Sequence, residues 1–80
     1  MDSYKKYMVK KLAERNHISQ NIIDTSVDIF EKGYIDSIGI FLLLAEIEVD
    51  LEIDLSFEDI SALPIYSIDC ISSVMEKKCQ

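Results

Sequence analysis

The residue best placed for chemistry is Ser37, which follows Asp36 and opens a long apolar run from Ile38 to Leu55. Gly33 punctuates the polar loop that precedes it. This pattern predicts that Ser37 is the first residue of a helix or its N-cap, where backbone N–H groups have no partner and an anion is stabilised. A phosphodiester on the Ser37 hydroxyl would therefore lie at the positive end of that helix.

The residues around this serine argue against hydrolytic and nucleotide chemistry. The only histidine, His17, follows the first predicted helix and has no cysteine near it in the sequence. With no second histidine either, His17 is poor material for a metal site or a catalytic base and is predicted to be a surface residue at a helix end. Ser37 has no histidine partner, so a Ser-His-Asp triad is excluded. Gly33 and Gly39 are too isolated to form a glycine-rich phosphate loop. We expect no catalytic residue, so the protein is predicted not to be an enzyme.

A metal site is also not expected. Acidic residues alternate between Asp50 and Glu58 in a way that suggests a calcium loop. An EF-hand needs glycine at its sixth position and glutamate at its twelfth. The corresponding residues here are Leu55 and Ser61, so the pattern is rejected as a calcium site.

The segment from Asp28 to Gly39, with the sequence DIFEKGYIDSIG, resembles the attachment segment of the acyl carrier protein family. The shared pattern is an apolar pair, an acidic residue, a glycine, two apolar residues and Asp-Ser-Ile-Gly, followed by a long helix. The three-residue Asp-Ser-hydrophobic motif is common, but the longer pattern is more specific, and the resemblance covers nearly the whole chain. It implies that Ser37 receives 4'-phosphopantetheine from coenzyme A.

The resemblance also implies a set of partner enzymes. A phosphopantetheinyl transferase would modify Ser37, and a ligase or transferase would load an acyl or aminoacyl group as a thioester for downstream transferases or synthases. The reactive thiol would belong to the prosthetic arm, and the protein would present it. The pathway could be one of fatty acid, polyketide, peptide or cell-envelope synthesis. Gly39 matches D-alanyl and peptidyl carriers, whereas fatty-acid carriers have an acidic residue at this position.

A docking surface is predicted on the outer face of the helix that follows Ser37. Helical spacing places one set of apolar residues toward the core and another outward, next to the serine. In many relatives, glutamates that face partner enzymes occupy the positions of Leu42 and Val49, which favours a carrier dedicated to one pathway. The predicted docking residues are Asp36, Ile38, Phe41, Leu42, Ala45 and Glu48.

Two other functions remain open for the same residues. The chain could be a small helical protein-interaction module without a prosthetic group, in which Ser37 is only an N-cap. Ser37 could also be a kinase target, because the helix dipole would stabilise a phosphate there. Only covalent analysis of Ser37 separates these alternatives from the carrier.

The composition fits one small acidic domain spanning residues 1–80. Hydrophobic residues make up 49% of the chain, which is enough for a packed core, and the net charge is -7. The charge disfavours nucleic acid and anionic membranes and favours partners with basic surfaces. The longest apolar run, residues 38–45, is too short to span a bilayer, and no secretory signal is visible. We expect a cytoplasmic monomer without a disulfide framework.

The predicted fold is all-α, a small four-helix bundle of the acyl carrier protein type with a long first loop over residues 17–36. The first helix is predicted to begin after Ser3 as its N-cap and to end at about Asn16. The second runs from Ser37 to about Leu51. The other two helices are a short one, residues 57–61, with a capping box between Ser56 and Asp59, and one over residues 68–78 capped by Ser67.

Overall fold

Four α-helices, joined by one long loop and two short ones, make up the computed structural model, which describes residues 2–79. The helices are α1 (Asp2–Asn16), α2 (Gly39–Leu51), α3 (Phe57–Ser61) and α4 (Ile68–Lys78). Within the described residues there is no strand, only an isolated bridge between Asp28 and Ser67. The expected all-α class, the long first loop and the short third helix are confirmed. None of these helices is both long enough and apolar enough to cross a membrane.

The start of α1 differs from the prediction. Ser3 lies inside the helix and is exposed, so it is not the N-cap. Serine is also tolerated on the solvent face of the first helical turn. The position of a single serine therefore predicts a helix start only to within one or two residues. The predicted end of α1 at Asn16 is confirmed. His17 follows with a φ of 57° and is exposed, as expected of a residue at a helix end.

The core lies between α1, α2 and α4, and it is built from the apolar stripes that the helical spacing predicts. Each stripe repeats every three or four residues, so its members share one face of their helix. The central side chains have at most 3% of their surface exposed, namely Met8, Leu12, Ile40, Leu43, Ile47, Ile68, Ile71 and Met75. The burial of these side chains supplies most of the stabilisation of so small a domain.

The long first loop packs over the helices, as its apolar residues predict. Ile29 is fully buried, and Tyr34 and Ile35 are nearly so. Ile22 is the exception, because it lies in a short 3-10 turn at Gln20–Ile22 and is 62% exposed. The loop therefore anchors on the core near its end, close to Ser37.

The loop contains a single turn that starts at Asp28. The Lys32 N–H donates to the Asp28 carbonyl at 2.9 Å, and the Asp28 carboxylate accepts from the Phe30 N–H at 2.8 Å. Gly33 ends the turn with a φ of +83°, a conformation that costs L-residues with a side chain about 1–2 kcal/mol. Gly33 thus redirects the chain toward Ser37.

The predicted caps of α3 and α4 are confirmed. The Asp59 carboxylate accepts from the Ser56 N–H at 2.8 Å, which completes a capping box, and this hydrogen bond holds the pKa of Asp59 below its usual value. The Ser67 hydroxyl accepts from the Cys70 N–H at 3.1 Å at the start of α4. Both caps satisfy N–H groups that the helix itself leaves free.

Candidate functional site

Ser37 lies in the turn that leads into α2. The residue is exposed, and no hydrogen bond within the described part of the chain engages its hydroxyl. The Ile40 N–H donates to the Asp36 carbonyl at 3.1 Å, so helical hydrogen bonding already begins at the serine. The helix itself begins at Gly39, two residues later than predicted. The oxygen of Ser37 is therefore free to react.

Ile38 holds the N-cap position of α2 without a side-chain cap hydrogen bond, and the capping carboxylate comes from Asp36. Its carboxylate accepts from the Gly39 N–H at 2.6 Å, so the alternative that Ser37 is the N-cap is wrong. The aspartate is the better acceptor because a charged oxygen forms the stronger hydrogen bond and its negative charge suits the positive end of the helix. Capping by Asp36 leaves the serine hydroxyl unused.

Replacing Asp36 with Ala is expected to lower the free energy of unfolding by about 1 kcal/mol, because Gly39 then loses the acceptor of its N–H. Asp36→Asn should retain most of the stability, since the amide oxygen can still accept. Urea denaturation of both variants tests this. Asp54→Ala is the control, because Asp54 is exposed and follows α2. An equal loss in the control would contradict the capping role.

Arg15 reaches the site from the last turn of α1. Its guanidinium lies 4.0 Å from an Asp36 carboxylate oxygen and covers Gly39. A Cβ atom at Gly39 would overlap the guanidinium and would lie 2.9 Å from the Asp36 carboxylate oxygen. The absence of a side chain at Gly39 therefore lets the Arg15 guanidinium lie over the start of α2. Nothing in the sequence position of Arg15 predicted this contact.

A shallow groove of about 670 Å³ lies between the end of α1 and the segment that precedes Ser37, and it reaches Asp36. Asn16 fixes one wall, since its side-chain amide donates to the Leu12 carbonyl at 2.7 Å and to the Tyr34 carbonyl at 2.9 Å. The groove is lined by Arg15, Asn16, Phe30, Tyr34, Ile35 and Asp36, among others. It offers one cation and several apolar side chains next to the segment that precedes the serine.

The outer face of α2 is apolar and exposed next to Ser37. Ile38 is 74% exposed, and Phe41 and Leu42 are each 57% exposed. Ala45 and Glu48, which complete the predicted docking set, are also exposed. All of the predicted docking residues therefore reach solvent, although Asp36 also caps the helix.

Part of the acidic surface of α2 is paired with α1. Lys11 lies 3.7 Å from Glu46 and 3.6 Å from Asp50, and the Tyr7 hydroxyl donates to Asp50 at 2.7 Å. Burial and this hydrogen bond raise the pKa of the Tyr7 phenol far above its usual value. The far half of α2 is thus tied to α1 by polar contacts.

An aromatic arc runs from the long loop to the outer face of α2. We give this name to Phe30, Tyr66, Phe57 and Phe41. The Phe30 and Tyr66 rings meet edge to face with centroids 5.5 Å apart, Tyr66 and Phe57 are 6.4 Å apart, and Phe57 and Phe41 are 5.6 Å apart. The sequence separates these residues widely, so their proximity was not predictable from spacing.

Other chemistry finds little support in this geometry. Within residues 2–79, no three His, Cys, Asp or Glu side chains lie close enough together to hold a metal ion. Cys70 is half-buried in α4, and Cys79 is exposed. Ser37 is exposed near a helix start and its hydroxyl has no hydrogen bond to the described residues, whereas the hydroxyls of Ser56 and Ser67 are engaged in caps.

Comparison with known proteins adds no relative. No family model, no curated protein and no solved structure matches this chain. The resemblance to a carrier family therefore depends on the residues of the chain itself.

Proposed function

We propose that this protein is an acyl carrier protein. It carries acyl or aminoacyl groups as thioesters on 4'-phosphopantetheine attached to Ser37 and presents them to biosynthetic enzymes. The single observation that supports this most is the Ser37 hydroxyl, which is exposed, free of hydrogen bonds to the described residues and positioned at the start of α2. The fold type expected of such a carrier, a four-helix bundle with a short third helix, is part of the same proposal.

The surroundings of Ser37 suit a phosphodiester-linked arm. The dipole at the start of α2 stabilises the negative charge, and the Arg15 guanidinium lies over Gly39, two residues after the serine. The groove of about 670 Å³ that reaches Asp36 leaves room for the first part of an arm. When attached, the arm supplies the thiol that the chain itself does not place at this site.

The attachment step uses coenzyme A as co-substrate and a separate transferase as catalyst. The Ser37 oxygen attacks the phosphorus next to the pantetheine, a new P–O ester bond forms, and the P–O–P linkage breaks. The serine proton passes to a base of the transferase, and 3',5'-adenosine bisphosphate leaves. Within this chain, Asp36 holds the first turn of α2 in place while Ser37 reacts.

The outer face of α2 is the proposed docking surface for the transferase, the loading ligase and the downstream enzymes. Ile38, Phe41 and Leu42 provide exposed apolar contact beside the reacting group. The net charge of -7 favours partners with basic surfaces, which increases the rate of encounter more than the final affinity. Glu48 lies on the rim of this surface.

The same exposed face favours one alternative function, a protein-interaction module without a prosthetic group. Its apolar side chains, including Val49 at 78% exposure, would then form an ordinary interface. Ser37 would have no chemical role. Covalent analysis distinguishes the two functions.

The test is the intact mass of the protein after incubation with coenzyme A and a broad-specificity phosphopantetheinyl transferase, followed by peptide mapping. We expect a gain of one phosphopantetheinyl group, located on the peptide that contains Ser37. The absence of a gain on the folded protein would overturn the carrier proposal and favour the interaction module. A gain on another serine would overturn the site assignment.

A further inference from the structure

The aromatic arc of Phe30, Tyr66, Phe57 and Phe41 lies within reach of any group tethered to Ser37. Phe41 is four residues after Ser37, about one helical turn along α2. Phe30, at the other end of the arc, also lines the groove that reaches Asp36. The two ends of the arc therefore belong to the two segments that flank Ser37, the turn of the long loop and the first turn of α2.

The rings of the arc are only partly covered. Phe41 is 57% exposed, and the other three rings are half-buried against the core. The Tyr66 hydroxyl donates to the Ser61 carbonyl at 3.0 Å, so its polar group is already satisfied. The arc contains no charged side chain. The part of its surface that solvent reaches consists mainly of aromatic ring carbons. Such a surface gains free energy when an apolar group covers it.

The core does not offer an equivalent space. Ile47, Ile60 and Ile68 have no exposed surface, so they border no void large enough for a water molecule. A cargo group could enter between the helices only by displacing packed side chains, which costs free energy. The arc can bind a group without any such rearrangement.

We propose that the aromatic arc binds the cargo, and that this cargo is an uncharged apolar acyl group, aromatic or long-chain. This inference depends on the proposed function, because the arm on Ser37 brings the cargo to the rings. An alanyl group has a single methyl and a hydrated ammonium, so it buries little apolar surface on the arc. A phenyl ring offers offset or edge contacts with Phe41 and Phe57.

The test compares three loaded forms of the protein, phenylacetyl, acetyl and alanyl, each made from the matching acyl-coenzyme A with the transferase. The rate of thioester hydrolysis is measured by intact mass and divided by the rate for the same acyl group on free pantetheine. We expect the phenylacetyl form to hydrolyse about threefold to tenfold more slowly than free phenylacetyl-pantetheine, because the ring spends most of its time on the arc. The acetyl and alanyl forms should hydrolyse at about the rates of the same acyl groups on free pantetheine, because these groups bury little apolar surface on the arc.

The chain offers a matched pair of variants for this test. Phe41 and Leu42 are neighbours and have the same exposed fraction, 57%, but only Phe41 belongs to the arc. Phe41→Ala should abolish the protection of the phenylacetyl form, and Leu42→Ala should preserve it. Both variants are compared only after loading is complete by mass, so that an effect on docking of the transferase does not enter the hydrolysis rate. A second readout needs no substitution, since the ring protons of Phe41 and Phe57 should shift in the NMR spectrum of the phenylacetyl form relative to the acetyl form.

The outcomes separate the two proposals. If Ser37 gains no mass, the carrier function fails and the inference fails with it. If the protein loads but phenylacetyl is unprotected, or Leu42→Ala loses as much protection as Phe41→Ala, the carrier function stands and the arc is not the cargo site. Equal protection of the alanyl form would overturn the assigned cargo class.

Discussion

Ser37→Ala is expected to abolish the gain of a phosphopantetheinyl group completely, while the fold is unchanged. The variant lacks the oxygen that forms the phosphodiester, so we expect no detectable rate of phosphopantetheine transfer. The folded state loses no hydrogen bond, because the Ser37 hydroxyl has no partner within the described residues. The free energy of unfolding should therefore stay within about 0.5 kcal/mol of the wild-type value. Intact mass and urea denaturation measure the two effects separately.

The control for this prediction is Ser73→Ala. Ser73 is also exposed, but it lies inside α4 and its hydroxyl donates to the Asp69 carbonyl at 3.1 Å. This variant should load like the wild type. Loading of Ser37→Ala, or a loss of loading in Ser73→Ala, would show that the reacting serine lies elsewhere.

Ile47→Ala should destabilise the fold strongly, because it removes a core side chain from the middle of α2. The Ile47 side chain is fully buried, and its truncation leaves a cavity that the neighbouring helices can fill only in part. The expected loss is about 2–5 kcal/mol. The least stable small domains have a free energy of unfolding of about 5 kcal/mol. A loss that approaches this value would leave a substantial fraction of the protein unfolded at room temperature. The urea midpoint measures the loss.

Val49→Ala is the matched control on the same helix. Val49 is β-branched like Ile47, but it is 78% exposed on the outer face. Its replacement should change the free energy of unfolding by at most about 0.5 kcal/mol, since no core contact is lost and alanine favours helix. Similar losses in the two variants would mean that the inner and outer faces of α2 have been assigned wrongly.

The helices themselves were predictable because their signals are local. The stripe that contains Ile68 and Ile71 predicts the buried face of α4, and Ser67 predicts its start within one residue. The capping box of α3 was likewise predictable from two residues three positions apart. Ser3 shows the limit of such signals. A serine that lies one residue inside a helix cannot be distinguished in the sequence from a serine that caps it.

The surroundings of Ser37 were predictable only in part. The exposed apolar residues near it follow from helical spacing, and their exposure is confirmed for Ile38 and Phe41. Arg15 and Tyr66 were missed, because each reaches the site across a tertiary contact that no spacing within one sequence encodes. Asp36 was assigned to the docking rim, whereas its carboxylate also caps α2. Local chemistry can be inferred from neighbours in the chain, but a site made by several elements cannot.

The long first loop is secured by residues that come much later in the chain. The Ile29 N–H donates to the Tyr66 carbonyl at 3.0 Å, and the Asp69 N–H donates to the Thr25 carbonyl at 3.0 Å. During synthesis these contacts cannot form until the ribosome has released the segment before α4, although Ser37 emerges far earlier. Pairings between distant parts of a chain form late in folding. The turn before Ser37 would therefore reach its final shape only after the segment around Tyr66 and Asp69 has emerged, and an enzyme that recognises that shape would act no earlier than that.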